Sequence, residues 1–371
     1  MFYICCESNN SRLVKQGKKN KIALVGYTLA DGGLERAFAS LSEVLSDSDF
    51  EVHVIILENK VAYTYYGTLV NLGMYSKFQK YFKLKKYLHK YQFDYIIDFR
   101  YRINPWMELV FLYYIYSGFK IIYTIHSSKF EDYFTSKRWV AEQIFRKVHT
   151  IVSVSVEMNK KIRKQYNFEK GVVIPNSISL IKVDCEKTDP NIQFKYCIAI
   201  GRLVAMKQFD KLIETYCNSD LPRNEIHLVI LGDGEESERL RIQIHASSHS
   251  NYIHLLGFKE NILLYCKEAM FLILTSQYEG FGMVILEALS VGTPAISFDC
   301  ENGPSEMIVD ESNGLLVENQ NFEALKAAMN RMVNETSLHT TCKNNAKASI
   351  AKFSSKNICK KWIELLNNKT N

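Results

Sequence analysis

Two glutamates eight positions apart, Glu279 and Glu287, bracket the turn Gly280-Phe281-Gly282 within TSQYEGFGMVILEAL, residues 275–289. The apolar period after the glycines reads as a helix. Its first N–H groups and its dipole offer an anion site at the mouth. From position 282 to 287 a helix rises about 8 Å, so one carboxylate stands at that mouth and the other lies further along. Such a pair can hold two sugar rings on either side of a phosphate. The plainer reading is a helix start favoured by a nearby acid. Gly303-Pro304-Ser305-Glu306, after the following strand, weighs towards a ligand site.

Other residues suited to phosphate chemistry stand at strand ends. Arg202 and Lys207, five apart after the apolar run 197–200, either clamp a diphosphate from two sides or are two solvated cations. Gly32 and Gly33, in DGGLER, let backbone N–H groups approach an anion, or serve a tight turn only. Phe258, closing LLGF, offers its ring or backbone to a nucleobase, or packs against its own domain. Neither GxGxxG nor a P-loop lysine accompanies these glycines, which disfavours a dinucleotide site and a phosphate-loop ATPase.

The elements that must position these residues follow one rhythm. Residues 21–26 (KIALVG) are a short apolar run ending in glycine, and positions 34, 37, 38, 41, 44 and 45 are then apolar at a helical period. Runs at 51–57, 95–99, 120–125, 150–154 and 171–174 read as further strands. The polar stretch 182–193 (KVDCEKTDPNIQ) reads as a linker, after which the pattern restarts. Strands follow at 196–200, 226–231, 253–255, 271–274 and 294–297, with helices at 208–217 and 281–290. Buried strands interleaved with helices specify a parallel, doubly wound sheet. The fold class is therefore α/β, with two Rossmann-like doubly wound domains facing a cleft. The first spans 1–180 and the second 181–350, and the closing segment 351–371 is expected to be helical and to pack back on the first domain.

With 371 residues, the chain exceeds one hydrophobic core, and 47% hydrophobic against 23% charged residues excludes a disordered or low-complexity protein. The longest apolar run, 109–116, has eight residues. That is short of the roughly 18 a membrane span needs, and suits a buried element. A short apolar patch before Glu7 turns basic at once, unlike a secretory leader, so a soluble, cytoplasmic protein is expected. Nine cysteines without CxxC or zinc spacing point to reduced thiols. Charge divides unevenly. Residues 1–180 hold 26 Lys and Arg against 16 Asp and Glu, a net +10, and the remainder hold 20 against 24, a net −4. The first domain thus favours an anionic partner.

Taken in order, these motifs resemble the GT-B glycosyltransferases, specifically family 4, the large retaining group, of the bacterial surface-polysaccharide type. The resemblance runs through GGLER, TIHSS, IPNSI, IAIGRLVAMKQFDKLI, VILGDGE, LLGF, the SQYEGFGMVILEAL block, GTPAISFD, NGPSEMI and NGLLV. It implies that Arg202 and Lys207 bind the donor diphosphate and that Glu287 takes the ribose hydroxyls. Glu279 would contact the transferred sugar, and backbone groups of Gly280, Phe281 and Gly282 would hold sugar hydroxyls and phosphate. Gly32 and Gly33 would close over the phosphate, and Phe258 would serve the donor. His126, of TIHSS, matches the family's active-site histidine near the reacting sugar. The resemblance further implies that Arg, Lys and a helix dipole neutralise the leaving diphosphate, so no metal and no cofactor are expected; the nucleotide-sugar is a substrate.

The implied activity is transfer of a hexosyl or N-acetylhexosaminyl group, from a UDP-sugar first, to a saccharide or lipid-linked acceptor in surface polysaccharide or lipopolysaccharide synthesis. A nucleotide-sugar epimerase or hydrolase on the same fold is the alternative. Nucleic-acid binding has only the basic half in its favour and no recognition motif. Residues 77–91 (KFQKYFKLKKYLHKY) form a basic amphipathic helix with Phe78, Tyr81, Leu84, Leu88 and Tyr91 near one face. It is either an ordinary core-facing helix or a contact to an anionic membrane surface, which would place the protein peripherally on the inner face of the plasma membrane.

Overall fold

The computed structural model of the chain describes residues 20–178, apart from 31, 49, 128 and 136, and residues 192–367. The linker expected at 182–193 therefore falls, up to residue 191, outside the described residues.

The first sheet contains β1 (Asn20–Gly26), β2 (Phe50–Ile56), β3 (Thr68–Asn71), β4 (Tyr95–Asp98), β5 (Lys120–Ile125), β6 (Thr150–Ser153) and β7 (Gly171–Val173). Its strands are parallel, in the order β3-β2-β1-β4-β5-β6-β7. The second sheet contains β8 (Tyr196–Ile200), β9 (His227–Leu231), β10 (Ile253–Leu255), β11 (Leu272–Leu274), β12 (Ala295–Phe298) and β13 (Gly314–Val317), again parallel, in the order β10-β9-β8-β11-β12-β13. Both orders reverse direction once, at β1/β4 and at β8/β11. Such a switch point leaves a crevice at the carboxyl ends of the strands. The two Rossmann-like domains read from the apolar runs are thus present. Central strands covered by helices on both faces bury both rows of side chains, and Ile22, Ala23, Leu24 and Val25 are all fully buried.

Helix Gly33–Ser46 lays Phe38, Leu41, Val44 and Leu45 on the first sheet. Helix Ser355–Asn367 adds Ile358, Trp362 and Leu366 to the same cluster, and Cys359 Sγ lies 2.9 Å from Ser48 Oγ. The last helix of the chain is therefore part of the first domain's core packing.

Two local features depart from the periodic reading. The strand β3 is a half-exposed edge of four residues, TLVN, too short to declare an alternation. The apolar run 109–116 is not buried throughout. A π-helical segment, Phe111–Ile115, extends the helix Pro105–Val110, burying Phe111, Leu112 and Ile115 while Val110, Tyr113 and Tyr114 face solvent. Among the described residues no helix is long and apolar enough to cross a membrane.

Candidate functional site

The loop leaving β11 is fastened to the loop leaving β8. Thr275 Oγ1 donates to the Lys207 carbonyl at 2.8 Å, and the Gln277 N–H donates to the Met206 carbonyl at 3.0 Å. These bonds close the second domain's switch point and bring Lys207 to Glu279. The Lys207 ammonium pairs with Glu279 Oε1, which also accepts from Ser276 Oγ at 2.6 Å. Gly282, at φ 86° and favoured there because it lacks a Cβ, then starts the helix Met283–Val291. A cation and an anion are thus held together beside a helix N-terminus. A diphosphate arriving there can take the lysine from the glutamate, leaving the carboxylate for a positively charged neighbour.

Phe281 turns its ring away from the turn it stands in. Its ring is buried edge-on against Phe353, centroids 5.6 Å apart. Glu287 is buried on the same helix, where one oxygen pairs with Arg36 of the first domain and the other, Oε2, has no hydrogen-bond partner. Burial raises the Glu287 pKa and Arg36 opposes the rise. The second oxygen is thus a buried acceptor without a donor.

Arg36 had no role assigned from sequence. It stands in the first turn of helix Gly33–Ser46, where the helix dipole disfavours a cation, and that misfit is the signal that could have found it. The compensation is the Glu287 carboxylate together with the Tyr63 ring, 5.2 Å from the guanidinium. Burial would lower the Arg36 pKa, but Glu287 and Tyr63 together outweigh it and the net shift is upward.

The other predicted residues occupy distinct positions. Arg202 is exposed and close enough to Tyr101 of the first domain to counter the rise that burial and Glu35 impose on that phenol. Gly33 opens its helix with nothing within 4 Å of where a Cβ would be, whereas a Cβ on Gly32 would come within 2.5 Å of Glu35 Oε2. The space beside Gly33 is therefore open, and the Glu35 carboxylate fills that beside Gly32. Phe258 stands apart at the exit of β10, 52% exposed, beside the Gly232 N–H that donates to the Gly257 carbonyl at 2.9 Å.

Gly280 and His126 meet across the domains. A Cβ on Gly280 would lie 1.6 Å from the His126 carbonyl oxygen, so the two backbones approach as only glycine allows. The imidazole of His126 stacks on Phe99 at 5.2 Å and helps line a small cavity with Ala37, Thr124 and Ile174. Both ring nitrogens are buried without a partner. Further contacts hold the domains together. The Val156 N–H donates to Glu306 Oε1 at 2.7 Å, and Lys161 pairs with Glu301 at 2.7 Å. Glu306, read from sequence as part of a ligand turn, here caps the helix Val156–Tyr166 from the other domain.

Burial, with Arg102 nearby, pushes the His126 pKa down to about 3. An unfolded histidine binds its proton near pH 6.5, so the unfolded state carries the extra proton between those values. Stability is then complete above about pH 6.5 and falls on acidification, by roughly 1.4 kcal/mol per pH unit. Urea unfolding of His126→Phe, which keeps a ring against Phe99, should show a shallower loss than the wild type between neutral pH and mild acid. Parallel curves for the two proteins would mean that the imidazole is open to solvent.

Residues 31–181 match the Glycosyltransferase Family 4 domain and residues 184–349 the Glycosyl transferases group 1 domain. The amylovoran biosynthesis glycosyltransferase AmsD of Erwinia amylovora is 32% identical over 170 residues, 46% of this chain and 47% of AmsD. The chain spans about half the length of this and of another such curated relative. An N-acetylgalactosaminyltransferase of Campylobacter jejuni, named for a diphospho-undecaprenol-linked acceptor, is 25% identical over 369 residues, 93% of this chain and 99% of the relative. Anabaena HepE, crystallised with UDP-glucose, shares the fold at a TM-score of 0.76 and 19% identity, covering 93% of this chain and 99% of HepE.

Proposed function

Because the chain belongs to the GT-B glycosyltransferases, with a family 4 domain ahead of a group 1 domain, we propose that it transfers a sugar, with retention, from a UDP-sugar. The acceptor is a saccharide or lipid-linked saccharide of bacterial surface polysaccharide synthesis, met at the cytoplasmic side of the membrane. The observation that carries this reading is the Lys207–Glu279 pair beside the N-terminus of helix Met283–Val291, at the switch point of the second sheet. Two similar proteins support it: HepE was crystallised with UDP-glucose, and the Campylobacter enzyme is named for a diphospho-undecaprenol-linked acceptor.

In this reading Lys207, Arg202 and the helix N-terminus neutralise the departing diphosphate, and Glu287 Oε2 accepts from the ribose. Glu279 faces the positive charge that develops on the sugar. Retention follows from attack on the face the diphosphate leaves, with the phosphate taking the acceptor's proton. His126 is the first-domain group beside the sugar, its carbonyl already against Gly280. Glu279 then acts as an orienting and electrostatic group.

Thermal denaturation with UDP, GDP and a panel of their sugars tests the donor. A ligand at 100 times its Kd stabilises the fold by about 2.7 kcal/mol, so UDP compounds should raise Tm clearly. No shift with any nucleotide would reject the donor site. An inverted anomer, seen by NMR of the product, would reject retention. Lys207→Ala and Arg202→Ala should each weaken UDP binding by about 1.5–3 kcal/mol, roughly 10- to 150-fold. Calorimetric titration with UDP reads this directly, and wild-type affinity in both folded variants would remove the clamp.

A further inference from the structure

Three helices of the first domain expose aromatic rings on one continuous face. In helix Lys77–Tyr91, Leu84 and Leu88 are buried, while Phe78 and Phe82 are 86% and 62% exposed. Phe78 thus turns away from the core face that the sequence pattern assigned to it. Phe78, Phe82 and Lys85 share a stripe at i, i+4 and i+7, and Lys85 Nζ sits 3.4 Å from the centre of the Tyr114 ring. That contact joins the stripe to Pro105–Val110 and its extension Phe111–Ile115, where Trp106, Val110, Tyr113 and Tyr114 are exposed. Trp106 in turn meets Trp139 of helix Arg138–Lys147, ring centres 5.9 Å apart. The two tryptophans, Leu109 and the tyrosines line an open apolar groove.

The charge around this face is predominantly positive. Lys77, Lys83, Lys86, Lys90, Arg146 and Lys147 are exposed on these helices. Glu108 is buried, and Glu142, the exposed acid among these helices' residues, lies 3.5 Å from Arg138. Single exposed apolar residues are ordinary on any surface, but a contiguous patch of Trp, Tyr and Phe rimmed by lysine has the composition of a membrane interface.

The geometry points to this face as a dock for an anionic phospholipid bilayer. Trp106, Trp139, Phe78 and Phe82 enter the headgroup boundary, and the lysines meet the headgroups. The dock has a fixed relation to the cleft. Residues 99–104 run from the carboxyl end of β4, at the switch point, to Asn104, whose side chain caps the helix bearing Trp106. Arg102 pins that loop to the carbonyls of Tyr133 and Thr124 at 2.9 and 3.0 Å. A lipid-linked saccharide could so pass from bilayer to cleft along a rigid path. The inference rests on the transferase reading for its purpose, while the docking is measured without turnover.

Flotation with phosphatidylglycerol–phosphatidylcholine vesicles tests it. The wild type should float at low salt, less at high salt and less with phosphatidylcholine alone. Each lysine near an anionic surface contributes about fivefold in affinity, so K83Q/K86Q should bind roughly 25-fold more weakly. W106S/W139S should lose the salt-resistant part, with its UDP-induced Tm shift unchanged. Failure of the wild type to float at low salt, or flotation of both variants like the wild type, would overturn the dock. So would sedimentation showing a wild-type dimer that W106S/W139S converts to monomer without altering vesicle binding, because the face then joins two copies. A protein that binds UDP but not vesicles fails this inference and leaves the transferase reading standing.

Discussion

Glu279→Gln is expected to lower kcat at saturating donor by about 10²–10³-fold, the scale on which a single aligned electrostatic group acts on a transition state. Glutamine keeps the shape of the side chain and can still accept from Ser276 Oγ, which bonds Glu279 Oε1 at 2.6 Å. What it lacks is the negative charge. In the unliganded protein that charge is neutralised by Lys207. On the proposed function, the donor diphosphate draws the lysine and leaves the carboxylate to face the sugar as it becomes positive. Affinity for UDP should therefore hold or rise, since Lys207 no longer has to leave a carboxylate. Single-turnover kinetics beside UDP titration separates the two effects. Full kcat in the folded variant would show that Glu279 does not face the reacting sugar.

Gly280→Ala is expected to reduce turnover by about 10²-fold, the loss that follows a displacement of roughly 1 Å in the reacting groups. The added methyl would lie 1.6 Å from the His126 carbonyl oxygen, a backbone atom of the other domain. Neither side of that contact is a flexible side chain, so the domains must move apart. Gly280 is absent from the positive-φ glycines, hence alanine fits its own loop and the second domain keeps its fold. UDP affinity should stay near wild type, because Lys207 and the helix N-terminus belong to that domain alone. Small-angle scattering should show a larger radius of gyration. A variant with wild-type scattering and wild-type kcat would mean that the closeness of Gly280 to His126 has no part in the reaction.

Much of this was open to reading in one dimension. A strand buried on both faces must be apolar without interruption, so β1 and β9 declare themselves. Glu279 and Glu287 were placed at the mouth and along the body of one helix because helical rise converts a spacing of a few residues into a distance. Periodicity failed where an element has one exposed face and few residues, as in β3. It failed again at 109–116. There the π-helical turn and the packing of Tyr81 against Phe111, 5.5 Å apart, decide which rings go inward.

The sequence by itself determined the two sheets, the glycine turns at their carboxyl ends and the charged residues those turns carry. Each depends on contacts within a few residues, and composition and spacing record such contacts directly. Tertiary structure alone decided how those residues meet. Arg36 finds Glu287 across 251 positions, Lys207 finds Glu279 across 72, and the Gly280 backbone lies against His126. These distances follow from how the two domains and their loops are seated against each other, and no local period encodes that placement.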